Sequence, residues 1–314
     1  MKSLEAPSQH TADSIYTHQN DMLLLKCLVA QRKEYSHAKH ATTWKDGLTA
    51  LFAVVCVLAS CLEVGWLTAL SSLFAIALLI TSKYIDSFAN EHKKHAAAIQ
   101  QYFDVTLYSN VLSMTNISWG PIPSDSDIAE AVSVIDESNI SGVANWYSDY
   151  SKLPATQEVF RCQQENIRWD FKLRKEYKLF QLIASACICL VTLFVGIAID
   201  PPLTKVICVI SWVAPIADYA ISNLLQLNKD IRRLAELKKK CNAIENNIAN
   251  ANGDSHVSEL ISIQQLIREN REKAYMVPDC FYQYRQQKHQ KSEDKIAVTI
   301  QSMSKGGSSN NTNL

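Results

Sequence analysis

Apolar residues along this chain collect in two long, nearly uncharged stretches set between strongly polar ones. Gly47 to Ser82 contains a single charge, Glu63, and Leu179 to Asn228 contains three, Asp200, Lys205 and Asp218. One helix over the first stretch would be about 54 Å long, against a hydrocarbon core of about 30 Å. It must fold back, and Leu62-Glu63-Val64-Gly65 supplies the turn. That leaves one span from Trp44 to Leu62 and another from Val64 to Tyr84, with Trp44 and Tyr84 at one interface and Trp66 at the other, where amphipathic rings are favoured. In the second stretch, Leu179 to Ile199 is uncharged and just long enough to cross, and Asp200-Pro201-Pro202 cannot continue a helix. A fourth span follows from Leu203 to Leu227, where Lys205 lies near enough to the turn to snorkel and Pro215 is placed to kink the helix. The competing reading is a soluble bundle with two buried hairpins; apolar runs of about 18 or more residues with so few charges favour the membrane.

Helical periodicity continues past the spans. Leu24, Leu28, Tyr35 and Ala38 predict that the first span extends a helix beginning near Asp21, and Ala-rich Ile85 to Gln101 extends the second. The character then changes, with β-favouring Phe103 to Tyr108, a Gly120-Pro121-Ile122-Pro123 breaker and a Ser124 to Asp127 cluster that caps a short helix over Asp127 to Glu137. From Ala155 helix resumes and runs into the third span. After the fourth, Leu227, Ile231, Leu234, Cys241, Ile244 and Ile248 form a heptad-like stripe broken at Lys238, the mark of a helix packed on a partner helix. Gly253-Asp254-Ser255 breaks the chain before one more amphipathic helix, marked by Val257, Leu260, Ile261 and Ile267. The predicted fold is an all-α membrane protein: four transmembrane helices in two hairpins, long cytoplasmic helical extensions and a small mixed cytoplasmic segment. It divides into an N-terminal helix (1–45), hairpin 1 (46–84), a central region (85–177), hairpin 2 (178–227), C-terminal helices (228–290) and a polar tail (291–314) expected to be disordered.

Bulk composition hides this segregation, since Lys+Arg and Asp+Glu both number 31 in 314 residues and the mean hydropathy is −0.07. The position of the cations is informative. Lys205 is the only Lys or Arg near either turn, whereas Arg32, Lys33, Lys39 and Lys45, then Lys83, Lys93 and Lys94, flank the opposite ends of hairpin 1. Hairpin 2 is flanked likewise by Arg168 to Lys178 and Lys229 to Lys240, so the positive-inside rule places both termini and the central region in the cytoplasm. No cleavable signal peptide is visible, because the first apolar run starts too late and is too long. Nine scattered cysteines suggest no disulfide framework. Neutral net charge gives no sign of a nucleic-acid polymer as partner.

Fragments outside the spans resemble a known family. They are Ala30-Gln31-Arg32, Tyr35-Ser36, Ala38-Lys39, Ala97-Ala98-Ile99-Gln100, Phe103-Asp104 and Trp146-Tyr147, followed by Cys162-Gln163, Asn166, Trp169-Asp170, Leu173-Arg174 and Tyr177. Ile263-Gln264, Arg271, Val277-Pro278-Asp279 and Phe281-Tyr282 complete a series that is collinear, from Asn20 to Tyr284, with the SMODS-associating four-transmembrane effector family. The resemblance implies a multi-pass effector of the bacterial inner membrane, encoded beside a nucleotidyltransferase that makes cyclic oligonucleotides during phage infection. Triggered by that messenger, it would breach the bilayer as a homo-oligomer. Gln164 stands where a basic residue is expected after Cys-Gln.

The run from Arg161 to Arg174 has the inventory for a nucleotide, with guanidinium groups for phosphates and the Trp169 indole for stacking. Asn166, Asp170 and Arg174 share one helical face while Arg161 and Arg168 point elsewhere; Arg161, Asn166, Trp169, Asp170, Arg174 and Arg32 are the candidate ligand residues. The plainer reading takes precedence: a solvated basic juxtamembrane helix attracted to anionic lipid, with Trp169 in a core. Asp218, deep in the fourth span or interfacial if that span ends near Ala217, and Glu63 are the intramembrane polar candidates, Asp218 having Ser185, Thr192 and Ser211 as prospective partners. His92 and His95 lack a third ligand nearby, so no metal is expected. No catalytic or cofactor motif stands out, and a non-enzymatic role with no cofactor is expected. Two functions remain, a membrane-permeabilising effector and a membrane-anchored scaffold that recruits a partner through the stripe after Leu227.

Overall fold

A computed structural model describes residues 14–62, 65–113, 118–140, 142–199, 203–249 and 256–309, and every regular element among them is a helix. In chain order these are α1 (Ile15–His18), α2 (Met22–Leu62), α3 (Gly65–Leu112), α4 (Asp125–Ser133), a 3-10 turn (Glu137–Ile140), α5 (Ala155–Ile199), α6 (Leu203–Ala249), α7 (Val257–Lys273) and α8 (Asp279–Ser309). Helices α2, α3, α5 and α6 run for 41, 48, 45 and 47 residues. At about 1.5 Å per residue each reaches roughly 60–70 Å, twice the hydrocarbon thickness of about 30 Å.

Pairs that cross between helices establish two antiparallel hairpins. Glu34 meets His92, Lys45 meets Asp86 and Phe52 meets Phe74, so α3 descends as α2 rises. Arg161 meets Glu245 and Arg174 meets Asp230, so α5 and α6 do the same. The two hairpins touch where the Tyr219 hydroxyl of α6 donates to Asp46 Oδ2 of α2, at 2.6 Å.

The ends of these helices remote from the turns bury a continuous core. Leu24 and Leu28 of α2, Ile99, Phe103, Leu107 and Tyr108 of α3, Phe160 of α5, Leu234 of α6 and Leu260, Ile263 and Ile267 of α7 meet around Tyr147, Tyr150 and Leu153. Nearer the turns the pattern inverts. Leu73, Ile76, Leu79 and Ile80 of α3, and Leu182, Ile183, Leu190, Val191 and Phe194 of α5, lie exposed, as do Trp44, Trp66 and Tyr84. Among the described residues no helix is long and apolar enough to cross a membrane. Much of the predicted spans falls outside the described side chains, at 53–54, 56–65, 195–199 and 203–216, together with Glu63 and the Asp200-Pro201-Pro202 turn.

Three expectations change. Phe103 to Tyr108 is helical rather than β-like, because Ile99, Phe103 and Leu107 recur every fourth residue along a helix already propagating from the Ala-rich segment, and tertiary packing overrides local β preference. No strand occurs among the described residues, so the mixed segment is helix and loop. The short helix starts at Asp125, two residues before the predicted start, because Ser124 caps it: the Ser124 hydroxyl accepts from Asp127 N–H while the Asp127 carboxylate accepts from Ser124 N–H. Finally, the tail from Lys291 is not a loose end over its described part. Helix α8 continues to Ser309 and buries Glu293, Ala297 and Gln301, an every-fourth-residue face whose polar members hide it from a hydrophobicity reading. The stripe after Leu227 packs as predicted, with Leu227, Leu234, Cys241 and Ile248 buried, but its partners are helices of the same chain.

Candidate functional site

The predicted ligand face of α5 is occupied by the protein itself. Asn166 Nδ2 donates to the Tyr147 hydroxyl (2.7 Å), which donates to Asp104 Oδ1 (2.5 Å) and lies 3.0 Å from the Tyr108 hydroxyl. Asp104 Oδ2 accepts from Arg271 Nη1 (2.6 Å) and from Gln264 Nε2 (3.0 Å), and Gln264 Nε2 also donates to Gln101 Oε1 (2.9 Å). Burial pushes the Tyr108 and Tyr147 hydroxyls well above their ordinary value, so both stay protonated donors. Asp104, Tyr147, Asn166, Gln264 and Arg271 thus converge from separate fragments into one buried polar frame tying α3, α5 and α7 to the loop before α5. Lower on the same face Arg174 pairs with Asp170 (2.7 Å) and Asp230 (3.6 Å). Trp169 stacks obliquely on Tyr282 and edge-on to His289, packing half-buried against a second core cluster. Arg32 is exposed on α2 and donates to the Gly142 carbonyl (3.1 Å).

Arg161 takes a different direction, as the helical spacing predicts. It lines a cavity of about 750 Å³ enclosed by α5, the stem of α6 and the last turns of α8. Leu153, Ile167, Ile300 and Met303 make its apolar wall. Its polar lining carries four cations, Lys152, Arg161, Arg168 and Lys238, against one carboxylate, Glu245. Arg161 Nη1 pairs with Glu245 Oε1 at 2.5 Å and with Gln164 Oε1 at 2.7 Å, joining α5 to α6. Gln164 therefore serves to aim Arg161. Arg168 is held by Glu293 of α8 at 2.8 Å; burial pulls its guanidinium down, but Glu293, Tyr150 and Glu165 together outweigh this and keep it charged. Lys152 and Lys238 are exposed at the mouth and make no ion pair among the described residues; Lys238 Nζ lies 5.9 Å from the Phe171 ring centroid. The Cys241 thiol is pushed up to about 12 by burial and is no nucleophile.

Sequence reasoning missed Lys152, Lys238, Asn242 and Glu245. Lys238 left one signal, since it interrupts the apolar stripe of α6 where a core-facing helix would place another apolar side chain. Helix α8, which lines the cavity with Ile300 and Met303, is anchored beside it through carboxylates. Glu293, fully buried, accepts from Arg168 and from Lys172 (2.8 Å), and Asp294 accepts from the Ser148 hydroxyl (3.1 Å). Beneath them Glu165 is pushed up to about 7 by burial and by the neighbouring Glu293, against hydrogen bonds from Ser148 and the charge of Arg168.

Asp218 is exposed on α6, without a hydrogen bond or ion pair to any described residue, and Glu63 lies outside the described residues. His92 and His95 both face Glu34, at 2.6 and 3.5 Å, and serve to join α2 and α3.

The family profile described as "SMODS-associating 4TM effector domain" matches residues 13–302. No curated protein and no solved structure matches the chain.

Proposed function

We propose, from the premise that this chain belongs to the SMODS-associating 4TM effector domain family, that it is a membrane effector of a nucleotide second-messenger system and permeabilises the bilayer when its helical body is triggered. The family's description supplies a four-transmembrane effector tied to SMODS signalling. The observation that carries the membrane half is the inversion along the long helices: apolar side chains are buried at their far ends and exposed near the turns, where lipid would cover them. Trp44 and Tyr84, respectively 71% and 74% exposed, lie at one level of hairpin 1, beside the Lys45–Asp86 ion pair and the Asp46–Tyr219 hydrogen bond. Aromatic rings and charges sharing a level are what a membrane–water interface favours. Together with the basic flanks, this supports a reading in which the helical body and both ends are cytoplasmic and the four spans continue its stems.

Signal transfer in this reading is mechanical. Each span is an uninterrupted continuation of a body helix, so a shift of α5 against α6 in the body moves the apolar segments that follow. The scaffold alternative loses its main support, because the stripe thought to recruit a partner is filled within the chain.

Purified full-length protein in dye-loaded liposomes provides the test. Leakage that rises several-fold with one of a panel of cyclic di- and trinucleotides supports the proposal. Membranes that stay tight with every messenger, at every protein density, overturn it.

A further inference from the structure

We propose that the cavity between α5, α6 and α8 is a binding site for a small organic ligand carrying two or more phosphates, and that such a ligand displaces Glu245 from Arg161. The cavity's size falls in the ordinary range for small-molecule sites, roughly 300–1,000 Å³. Four cations face one carboxylate there, and two of the cations, Lys152 and Lys238, have no anionic partner among the described residues. Clustered like charges are self-repelling, and a polyanion relieves that repulsion. Guanidinium and ammonium groups together match phosphate oxygens, while Leu153, Ile167, Ile300 and Met303 would receive an apolar portion such as a sugar edge or base face.

A lipid headgroup does not fit this position. Arg161 lies 18 residues before Leu179 along one helix, about 27 Å from the start of the span.

Arg161 is the switching point. Its present partner, Glu245, belongs to the other helix of the hairpin, so a phosphate that takes Arg161 cuts one of the two ion-pair ties between the α5 and α6 stems among the described residues; the Arg174–Asp230 pair remains. This consequence rests on the membrane-effector reading; the binding itself does not.

Titration calorimetry on the detergent-purified full chain tests the site, with sodium tripolyphosphate, ATP and cyclic di-adenosine monophosphate as probes at two salt concentrations. Saturable, salt-sensitive binding of at least one probe is expected. Lys152→Glu with Lys238→Glu should weaken it by about tenfold or more, since two charge-assisted contacts are lost, whereas Lys33→Glu, a charge reversal on the exposed surface of α2, should leave it unchanged. Both cavity lysines are exposed and form no ion pair among the described residues, so the double variant should fold as the parent does. Glu245→Gln removes the competing carboxylate and should tighten binding several-fold. Absence of binding by all three probes, or binding indifferent to the lysine reversals, overturns the site. Weaker or unchanged affinity in Glu245→Gln overturns the exchange at Arg161. Binding as predicted, with liposomes that stay tight, would leave the site standing and refute the effector reading; messenger-dependent leakage without binding here would do the reverse.

Discussion

Replacing Arg271 with Met should destabilise the helical body more than any change at its surface. Arg271 is 7% exposed and pairs at 2.6 Å with Asp104, which is fully buried. Met keeps much of the side-chain volume, but among the described residues it leaves the Asp104 carboxylate with only the Tyr147 hydroxyl and the Gln264 amide as donors. Removing one member of a buried ion pair costs about 3–5 kcal/mol, chiefly through the charge left behind. At roughly 2–4 °C per kcal/mol for a chain of this order of size, melting should fall by about 10 °C. Asp104→Asn in the same background removes the stranded charge and keeps one carbonyl acceptor, which serves one of the two donors Tyr147 and Gln264. It should recover a large share of the loss, although Asp104→Asn alone is destabilising. The assay is thermal melting of detergent-purified protein followed by near-ultraviolet circular dichroism, which reports the packed aromatic residues Tyr108, Trp119 and Tyr147 rather than the helicity of the hairpins. If Arg271→Met lies within about 1 kcal/mol of the parent, or if Asp104→Asn worsens rather than rescues it, the buried frame is not held by charge and the reasoning fails.

Glu165→Gln should change the pH dependence of melting. A carboxyl raised from 4.5 to about 7 in the folded state binds its proton more tightly there than in the unfolded chain. Its contribution is therefore complete below the unfolded value and lost as pH rises through about 7, so the parent should weaken between pH 5 and 8 and the Gln variant should do so less; parallel curves would count against the assignment. Deleting 291–314 removes Glu293 from between Arg168 and Lys172 and uncovers the cavity; limited proteolysis should then cut the body faster and melting should drop, and an unchanged digestion pattern would show that α8 is not part of it. Phe194→Arg places a charge at a side chain 74% exposed in the third predicted span. If lipid covers it, insertion should lose about 2.5–3.5 kcal/mol and the carbonate-resistant membrane fraction should shrink; full retention would mean that lipid does not cover α5 at this point.

Pattern alone carried the all-helical architecture and the two hairpins, because apolar stretch length, turn chemistry and the periodicity of flanking residues are local properties. It also carried the sense in which α5 divides its polar residues between two faces, since helical geometry fixes that from spacing. Which face serves which purpose was decided only by tertiary structure. Asn166, Asp170 and Arg174 look like ligand contacts until Tyr147, Asp104 and Asp230 arrive from other parts of the chain and saturate them or join the same network. Arg161 acquires its meaning from Glu245, 84 residues away, and from the end of α8 that roofs the cavity beside it. Helix α8 itself was illegible for the same reason: its buried face is built of Glu293, Ala297 and Gln301, and polar side chains are read as surface until their partners Arg168, Lys172 and the Asp149 carbonyl are known. Charge satisfaction is a property of pairs, and a sequence shows each member of the pair alone.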